Sequence, residues 1–252
     1  MYNKIKSIVG RWVEQEFKYS NKYVLVFSHP RSGTHFMEAF LAKNFYQQED
    51  LMTDNVVWGH WSNRLVNGKG NEFGKLFGSH IFPNRGIGKV KMPIIYIYRD
   101  GRAVAYSIWK TNNFIHSKYK GISFSDFLRL KLDWRGTPAI KVDNPSQNIV
   151  EHWFEHVNTW FDYAKRNNKV VIVRYEDLVR NPYQVYLMIH NKVFSDELLL
   201  SNDNVNPISN AVGLLPNKAV IDSWREAFSE SDLDFFMSNV KHDEFFDKDE
   251  EK

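Results

Sequence analysis

The stretch YVLVFSHPRSGTHF, from Tyr23 to Phe36, decides which fold is expected for this chain. Its first part, Tyr23 to Phe27, is a short run of apolar, mostly β-branched or aromatic residues, which is typical of a strand buried on both faces. A polar turn follows at once, and the positions from Gly33 to Phe45 have a helical pattern. A buried strand that leads through a polar turn into a helix predicts a parallel α/β unit.

A similar apolar run occurs at Ile94 to Tyr98, and it precedes a helical pattern from Gly101 to Lys110. A third such run occurs at Val170 to Arg174. Repeated strand–turn–helix units favour a parallel sheet covered by helices. We therefore predict an α/β fold, a single three-layer domain over residues 1–252 with a core of about 22–230. Its central sheet would be mostly parallel, with a P-loop-like phosphate-binding turn after the first strand.

Composition excludes several classes of protein. The chain has no cysteine, so it has no disulfide, no Cys-based zinc site and no thiol nucleophile. A net charge of +3 is small for a nucleic-acid binder, and no run approaches the length of a membrane span. Since the first residues also lack the apolar stretch of a signal peptide, we expect a cytoplasmic protein with no stable membrane insertion. The mostly acidic tail, residues 241–252, is expected to fray.

The first turn has the properties of an anion site. Backbone N–H groups at a helix N-terminus point outward without partners, and the helix dipole adds positive potential there. Gly33 would let the backbone approach an anion closely, while Arg31, Ser32 and Thr34 add donors. The turn is not an ATPase P-loop, because Thr34 stands where the lysine would be. A helix that is merely capped, with no ligand, is the alternative from this turn alone.

The second turn, YRDGRAVAYS from Tyr98 to Ser107, repeats the arrangement. Arg99 would lie at the carboxyl end of a strand, and its planar guanidinium suits an oxyanion. Ser107, on the following helix, would reach the same anion if that helix folds back against the strand. The alternative is that Arg99 and Asp100 only form an ion pair or cap a helix.

Both turns resemble the nucleotide motifs of the sulfotransferases that use 3'-phosphoadenylyl sulfate (PAPS). The first is similar to the family's 5'-phosphosulfate loop, roughly Pro-Lys/Arg-Ser-Gly-Thr after the first strand. The second is similar to its 3'-phosphate motif, in which the strand-end Arg and the Ser eight residues later bind that phosphate. Over residues 22–230 the resemblance implies a PAPS site formed by Arg31, Ser32, Gly33, Thr34, His35, Phe36, Arg99, Ser107, Tyr175 and Lys218.

Three of these positions rest on shorter matches. Tyr175, in VRYEDL, aligns with the family's Tyr that contacts adenine, and Phe36 stands where the family often has a Trp that stacks on adenine. Lys218 aligns with the Lys of a C-terminal Arg-Lys-Gly loop that closes on the 3'-phosphate. Asn217 and Ala219 replace the Arg and the Gly, so this loop is only partly preserved.

The resemblance also implies a general base. The segment GSHIFP, residues 78–83, looks like the family's Lys-Thr-His-Leu-Pro stretch, whose His takes the acceptor's proton, and His80 occupies that position. Gly78 replaces the Lys and removes a positive charge near the transferred group, so Arg31 would carry more of the stabilisation of the leaving phosphate. Glu72 is an alternative base, since some relatives use a carboxylate.

The function implied is transfer of a sulfuryl group from PAPS to a hydroxyl or amine, with 3'-phosphoadenosine 5'-phosphate (PAP) as product and no metal. The acceptor, a small molecule, carbohydrate or lipid, is not identified by the sequence, and neither is the oligomeric state. Residues 51–78, 111–150 and 196–217 are expected to shape its pocket, because long segments of this kind vary freely on one fold.

Three other functions stay open. The segment HWFEH, from His152 to His156, matches the His-x-x-Glu-His pattern of inverted zincins and would support a zinc hydrolase. A nucleotide kinase would share the fold and a phosphate loop, although it would need magnesium. A module that holds PAPS or PAP without catalysis is the third.

Overall fold

In the described part of the chain, four parallel strands lie side by side at the centre of the computed structural model. Their order across the sheet is β2-β1-β3-β4, and each pair of neighbours is parallel. The strands are β1 (Val24–Ser28), β2 (Leu76–Ser79), β3 (Ile94–Tyr98) and β4 (Val170–Arg174). The structure describes residues 24–46, 76–83, 87, 91–111, 116–131, 147–208, 220–240 and 245–246. The predicted α/β class and the three predicted strands are confirmed.

Helices cover both faces of this sheet. In the described part of the chain they are α1 (Thr34–Phe45), α2 (Gly101–Thr111), α3 (Phe124–Arg129), α4 (Ile149–Arg166), α5 (Tyr175–Arg180), α6 (Pro182–Val193) and α7 (Glu230–Asn239). The longest, α4, begins with a capping box in which Asn148 and Glu151 satisfy each other's backbone N–H groups. Single 3-10 turns cover Ser117–Tyr119, Asn202–Asn204 and Ser223–Glu226.

The core is divided by the sheet into two apolar clusters. Side chains alternate across each strand, so Val26 joins α1 and α6 on one face while Phe27 and Tyr96 join α4 on the other. On the α4 face the rings of Tyr96 and Trp160 stack with centroids 5.0 Å apart. The arrangement gives helix, sheet and helix layers around buried strands, as the apolar sequence runs predict.

Strand β2 is a correction to the sequence reading. No strand is predicted within residues 51–78, whose predicted role is to shape the acceptor pocket, but the end of that segment belongs to the sheet, where Leu76 pairs with Val24 and Gly78 with Val26. The short sequence Leu-Phe-Gly-Ser carries little strand signal, because glycine weakens a strand and no β-branched residue is present. The strand leads directly into His80, so the sheet positions the candidate base.

The tail is a second correction. Phe245 is fully buried and packs edge to face against Tyr98, Trp153, Phe154 and Phe161. The prediction that residues 241–252 fray is therefore wrong at Phe245, and the core extends beyond residue 230. The acidic composition of this segment predicts fraying, whereas its two adjacent phenylalanines, Phe245 and Phe246, are the signal for a buried anchor.

The segment after α6 also contributes to the core. Leu200, Val205 and Ile208 are buried on the α1 face, and the side-chain amide of Asn44 in α1 bonds to both the N–H and the carbonyl of Asn206. This part of residues 196–217 thus packs against α1. Within the described ranges, no helix is long and apolar enough to cross a membrane.

Candidate functional site

The turns after β1, β3 and β4 converge because these strands are neighbours in the sheet. Parallel strands end at the same edge, so their carboxyl ends bring Arg31, Arg99 and Tyr175 together. Arg99 Nη1 donates to the Arg31 carbonyl at 3.4 Å, and the Arg99 guanidinium carbon lies 4.7 Å from the centre of the Tyr175 ring. Arg31 Nε donates to Ser107 Oγ on α2 at 2.9 Å. Four residues predicted to hold the nucleotide are thus in contact.

The turn after β1 has an unusual backbone. Arg31 adopts a φ of 66° and Gly33 a φ of 92°, both in the left-handed region. A Cβ at Gly33 would lie 2.4 Å from Cδ2 of Tyr175, so only glycine fits between α1 and that ring. The turn delivers the chain to Thr34, the first residue of α1, whose first turn holds no acidic side chain. The N-terminus of α1 therefore keeps its positive potential.

The two arginines have no counter-ion in the described part of the chain. Arg99 is 2% exposed, and burial together with the nearby Arg99 charge lowers the pKa of Arg31 to about 10. The carboxylates beside them are engaged elsewhere, with Asp100 paired to Arg102 at 2.5 Å and Glu176 to Arg174 at 3.3 Å. A buried and a half-buried guanidinium, neither of them in an ion pair with a described residue, create a strong positive potential at this edge of the sheet.

Unsatisfied donors lie in the same place. Ser32 Oγ and Arg99 Nε are buried and have no hydrogen-bond partner among the described residues. Native proteins leave few buried polar groups unpaired, and those that remain often mark a ligand site. Both groups can donate, so an anion with several acceptor oxygens would complete them. The remaining Arg99 donor, Nη2, binds the Val220 carbonyl at 2.9 Å.

His80 follows β2 and lies beside the start of the phosphate turn. Its Nδ1 is 2.9 Å from the Ser28 carbonyl, which only accepts, so Nδ1 carries the proton and Nε2 is the basic nitrogen. The Ser28 hydroxyl in turn bonds to Thr34 Oγ1 at 2.5 Å. His80 is 4% exposed, and burial is the main cause that lowers its pKa to about 3. The imidazole is therefore neutral at physiological pH, as a proton acceptor must be.

His35 and Phe36 occupy the first turn of α1. Phe36 is buried in the core and meets the Tyr175 ring edge to face at 5.3 Å. His35 is partly exposed, and its Nδ1 lies 3.3 Å from Oε2 of Glu38, a carboxyl whose pKa is raised by burial. The other predicted participants, Lys218 in the nucleotide site and Glu72 as an alternative base, lie outside the described residues.

The His-x-x-Glu-His segment does not assemble as the zinc hypothesis requires. His152 and His156 face the core from α4, whereas Glu155 is exposed and bonds to Gln147. His152 Nδ1 lies 3.0 Å from Nε2 of His29, a histidine that is also fully buried. In the part of the chain that the structure covers, no group of three His, Cys, Asp or Glu side chains is placed to hold a metal ion.

Sequence reasoning missed three participants in this geometry. Ser28 lies between the candidate base and the phosphate turn, and its hydroxyl is 3.2 Å from His80 Nδ1. The Val220 carbonyl accepts a hydrogen bond from Arg99. The Tyr96 hydroxyl donates a hydrogen bond to His156 Nδ1 at 2.8 Å. The polar residue Ser28 at the end of an apolar strand is a signal that was available. Nothing in the sequence marks the other two, because each depends on long-range packing.

The sequence is similar to that of known sulfotransferases. The model of the family described as "Sulfotransferase domain" matches residues 21–190. An amine sulfotransferase of Oryctolagus cuniculus is 22% identical over 202 residues, which cover 77% of this chain and 62% of that protein. The match thus spans less than two thirds of this relative's length.

Comparison with solved structures finds the same fold. The mouse sulfotransferase SULT7A1, crystallised with PAP, superposes with a TM-score of 0.59 at 15% identity, over 89% of this chain and 84% of that one. Retinol dehydratase, in a complex with retinol and PAP, superposes with a TM-score of 0.53 at 13% identity, over 88% and 82%. At these identities the likeness concerns the arrangement of strands and helices.

Proposed function

The chain belongs to the sulfotransferase domain family, and we propose that it transfers a sulfuryl group from PAPS to a hydroxyl or amine of a small-molecule acceptor. The observation that carries this proposal is the pair of guanidiniums of Arg99, which is buried, and Arg31, which is half-buried, with no ion pair for either among the described residues. A site with this charge is costly unless an anionic ligand binds in it. PAPS supplies such anions at both ends of its nucleotide.

The phosphates of the donor would divide between the two turns. Arg99 and Ser107 would hold the 3'-phosphate, which would accept a hydrogen bond from Arg99 Nε, a donor with no partner among the described residues. Ser32 and the backbone N–H groups from Gly33 to Thr34 would hold the 5'-phosphosulfate, where the Ser32 hydroxyl lacks a partner among the described residues. His35 would border this end, and Lys218 would approach the 3'-phosphate.

The adenine would lie near the aromatic pair formed by Phe36 and Tyr175. Their rings meet edge to face beside Gly33, and both residues are at most 3% exposed. Little ring surface is therefore available for stacking, and we expect the adenine to contribute less to the affinity than the two phosphates do.

The transfer itself would be an in-line displacement at sulfur. The acceptor oxygen or nitrogen forms a bond to sulfur, and the bond from sulfur to the bridging oxygen of the 5'-phosphate breaks, with its electron pair leaving on PAP. The acceptor proton moves to Nε2 of His80, the basic nitrogen of the assigned tautomer. Arg31 and the N-terminus of α1 stabilise the negative charge on the leaving phosphate. The charge of the bound donor would raise the low pKa of His80 and make it a stronger base.

The acceptor class follows from chemistry that the relatives suggest. The rabbit protein is named for amines, and the retinol dehydratase structure holds a lipid alcohol. An acceptor screen therefore includes primary amines, phenols and lipid alcohols. Transfer of radiolabel from 35S-labelled PAPS to any of them would identify the acceptor.

The donor site is tested first, by thermal unfolding with PAP and, separately, with ATP and magnesium. PAP at 100 times its Kd is expected to stabilise the protein by about 2.7 kcal/mol. Arg99→Gln is expected to abolish the shift, whereas Arg129→Gln, which removes an ion pair with Asp232 on α7, is expected to retain it. A shift with ATP and magnesium but none with PAP would overturn the proposal in favour of a nucleotide kinase.

A further inference from the structure

Four buried histidines form a connected cluster behind the site. The members are His29, His80, His152 and His156, which are between 0% and 4% exposed, and the Tyr96 hydroxyl extends the cluster into the sheet. The rings of His29 and His156 meet edge to face at 5.4 Å, and burial lowers the pKa of every member. All four imidazoles are therefore neutral at physiological pH, and their hydrogen bonds identify the tautomers.

His156 holds the main chain of the candidate base. Its Nε2 lies 3.2 Å from the carbonyl oxygen of His80, which only accepts, so Nε2 carries the proton. Its Nδ1 must then accept, and the Tyr96 hydroxyl donates to it at 2.8 Å. The base is thus fixed from two sides, its main chain by α4 and its ring by the Ser28 carbonyl of β1.

His152 has the equivalent relation to the phosphate turn. His29 Nδ1 lies 3.0 Å from the Pro30 carbonyl, so this nitrogen donates and His29 Nε2 accepts. The proton that Nε2 accepts belongs to His152 Nδ1, at 3.0 Å. Since Pro30 precedes Arg31, which has a left-handed backbone, this chain of bonds ends at the strained part of the turn.

We propose that His152 and His156 are positioning residues for sulfuryl transfer, one for the phosphate turn and the other for the base. They lie one helical turn apart on the same face of α4, a rigid element of 18 residues, so one helix sets the distance between the two halves of the reaction. The proposal rests on the function proposed above, with His80 as the base. The pattern read in the sequence as a zinc motif would instead hold two catalytic turns in register.

Two variants at one position separate positioning from folding. His156→Gln can place an N–H near the former Nε2 and keep the bond to the His80 carbonyl, whereas His156→Asn is too short and can reach only Tyr96. A displacement of about 1 Å in a reacting group can reduce a rate by about 100-fold. We expect His156→Asn to lower kcat by roughly 10- to 100-fold with the KM for PAPS little changed, and His156→Gln to recover most of the loss.

The matched control is His190→Asn. His190 is also buried, and its Nε2 also meets a backbone carbonyl, that of Glu197 at 3.0 Å, but it lies on α6 on the other face of the sheet. This variant is expected to lower the melting temperature without changing kcat. A similar fall in kcat for His190→Asn and His156→Asn would reduce the effect to general destabilisation and overturn the proposal.

A spectroscopic measurement on the full chain with PAP needs no acceptor. Nitrogen-15 imidazole spectra should report His80 with its proton on Nδ1, and Tyr96→Phe, which removes only the hydroxyl, should shift the His80 signals while leaving those of His190 in place. Unchanged His80 signals in both Tyr96→Phe and His156→Asn would overturn the positioning role.

The outcomes also distinguish this proposal from the one on which it rests. If His80→Ala abolishes transfer and His156→Asn retains the kcat of the native protein, the base stands and the positioning role fails. If His80→Ala retains that kcat, both fail, while a PAP-induced rise in melting temperature would still establish the donor site.

Discussion

The arginine pair and the histidine cluster are both polar and largely shielded from solvent, yet they are opposite in character. Arg31 and Arg99 carry charge with no counter-ion in the described part of the chain, and donors beside them remain unsatisfied. The histidines are neutral and bond to one another, to Tyr96 and to backbone carbonyls. The difference indicates a division of labour, in which one region is completed by a ligand and the other by the fold itself.

Acid should destabilise the protein through the histidine cluster, by more than any of the substitutions considered below. Its members have pKa values lowered to about 3 for His80 and about 4 for His152, and lowered well below the ordinary value for His29 and His156. The folded state therefore binds fewer protons than the unfolded state, whose histidines titrate near pH 6.5. Stability must fall as the pH drops below that value.

The expected loss of stability is large because all four histidines contribute to it in the same direction. Between pH 7.5 and pH 5, the free energy of unfolding should fall by about 2 kcal/mol for His80 and by about the same amount for His152. The fall is about 1.4 kcal/mol for each pH unit below 6.5. Urea unfolding at pH 7.5, 6 and 5 measures this loss, and His152→Asn should reduce its slope. A free energy of unfolding that stays constant over this range would contradict the assignment of neutral histidines.

Removing one charge from the arginine pair should weaken the binding of PAP without destabilising the free protein. Arg99→Met should weaken PAP binding by about 3 kcal/mol, which is more than 100-fold in Kd, because the phosphate loses a buried cation. The free protein should keep or gain stability, since an uncompensated buried charge is gone.

The matched control for that prediction is Arg102→Met. Arg102 pairs with Asp100 and lies 4.1 Å from the centre of the Trp224 ring, so its charge is compensated by the fold. This variant should lower the melting temperature. Calorimetric titration with PAP measures the affinity of both variants, and thermal unfolding measures the stability of both free proteins. If Arg99→Met destabilised the free protein as much as Arg102→Met does, the charge of Arg99 would not be uncompensated in the fold.

A third prediction concerns the turn that joins the two regions. Gly33→Ala introduces a Cβ at a positive φ and only 2.4 Å from the Tyr175 ring, so the ring or the turn must move. We expect a loss of about 2 kcal/mol in the free energy of unfolding. Gly121→Ala is the control, because Gly121 also has a positive φ of 84° but its Cβ would meet no atom within 4 Å. Equal losses in the two variants would show that contact with Tyr175 contributes nothing.

The arginine pair can be predicted from the sequence, whereas the histidine cluster cannot. Local order along the chain places Arg31 and Arg99 at strand ends, and parallel strands bring such ends together. The histidine cluster depends on how α4 packs against β3, which no local pattern encodes. His152 and His156 therefore match a zinc motif in sequence and a hydrogen-bond network in space. Strand β2 is not predicted for a related reason. Its short sequence contains a glycine and has little intrinsic preference for a strand, so its place depends on the pairing with β1.

The last and weakest contrast is between Ser28, which ends β1, and Ser32, in the turn that follows it. Ser32 Oγ is buried without a partner among the described residues, so Ser32→Ala should leave the stability of the free protein unchanged and weaken PAP binding by about 1 kcal/mol, the net value of a hydrogen bond. Ser28 Oγ bonds to Thr34 Oγ1 at 2.5 Å and lies 3.2 Å from His80 Nδ1. Ser28→Ala should therefore destabilise the free protein.

Melting temperatures with and without PAP measure both serine variants. Since Ser28 belongs to the network that the fold completes, its loss should appear in the free protein, with a PAP-induced shift close to that of the native chain. Ser32 belongs to the region that a ligand completes, so its loss should appear only when PAP is present. Equal destabilisation of the free protein by both variants would mean that the Ser32 hydroxyl already contributes to the fold, and the division between the two regions would fail at the residue where they meet.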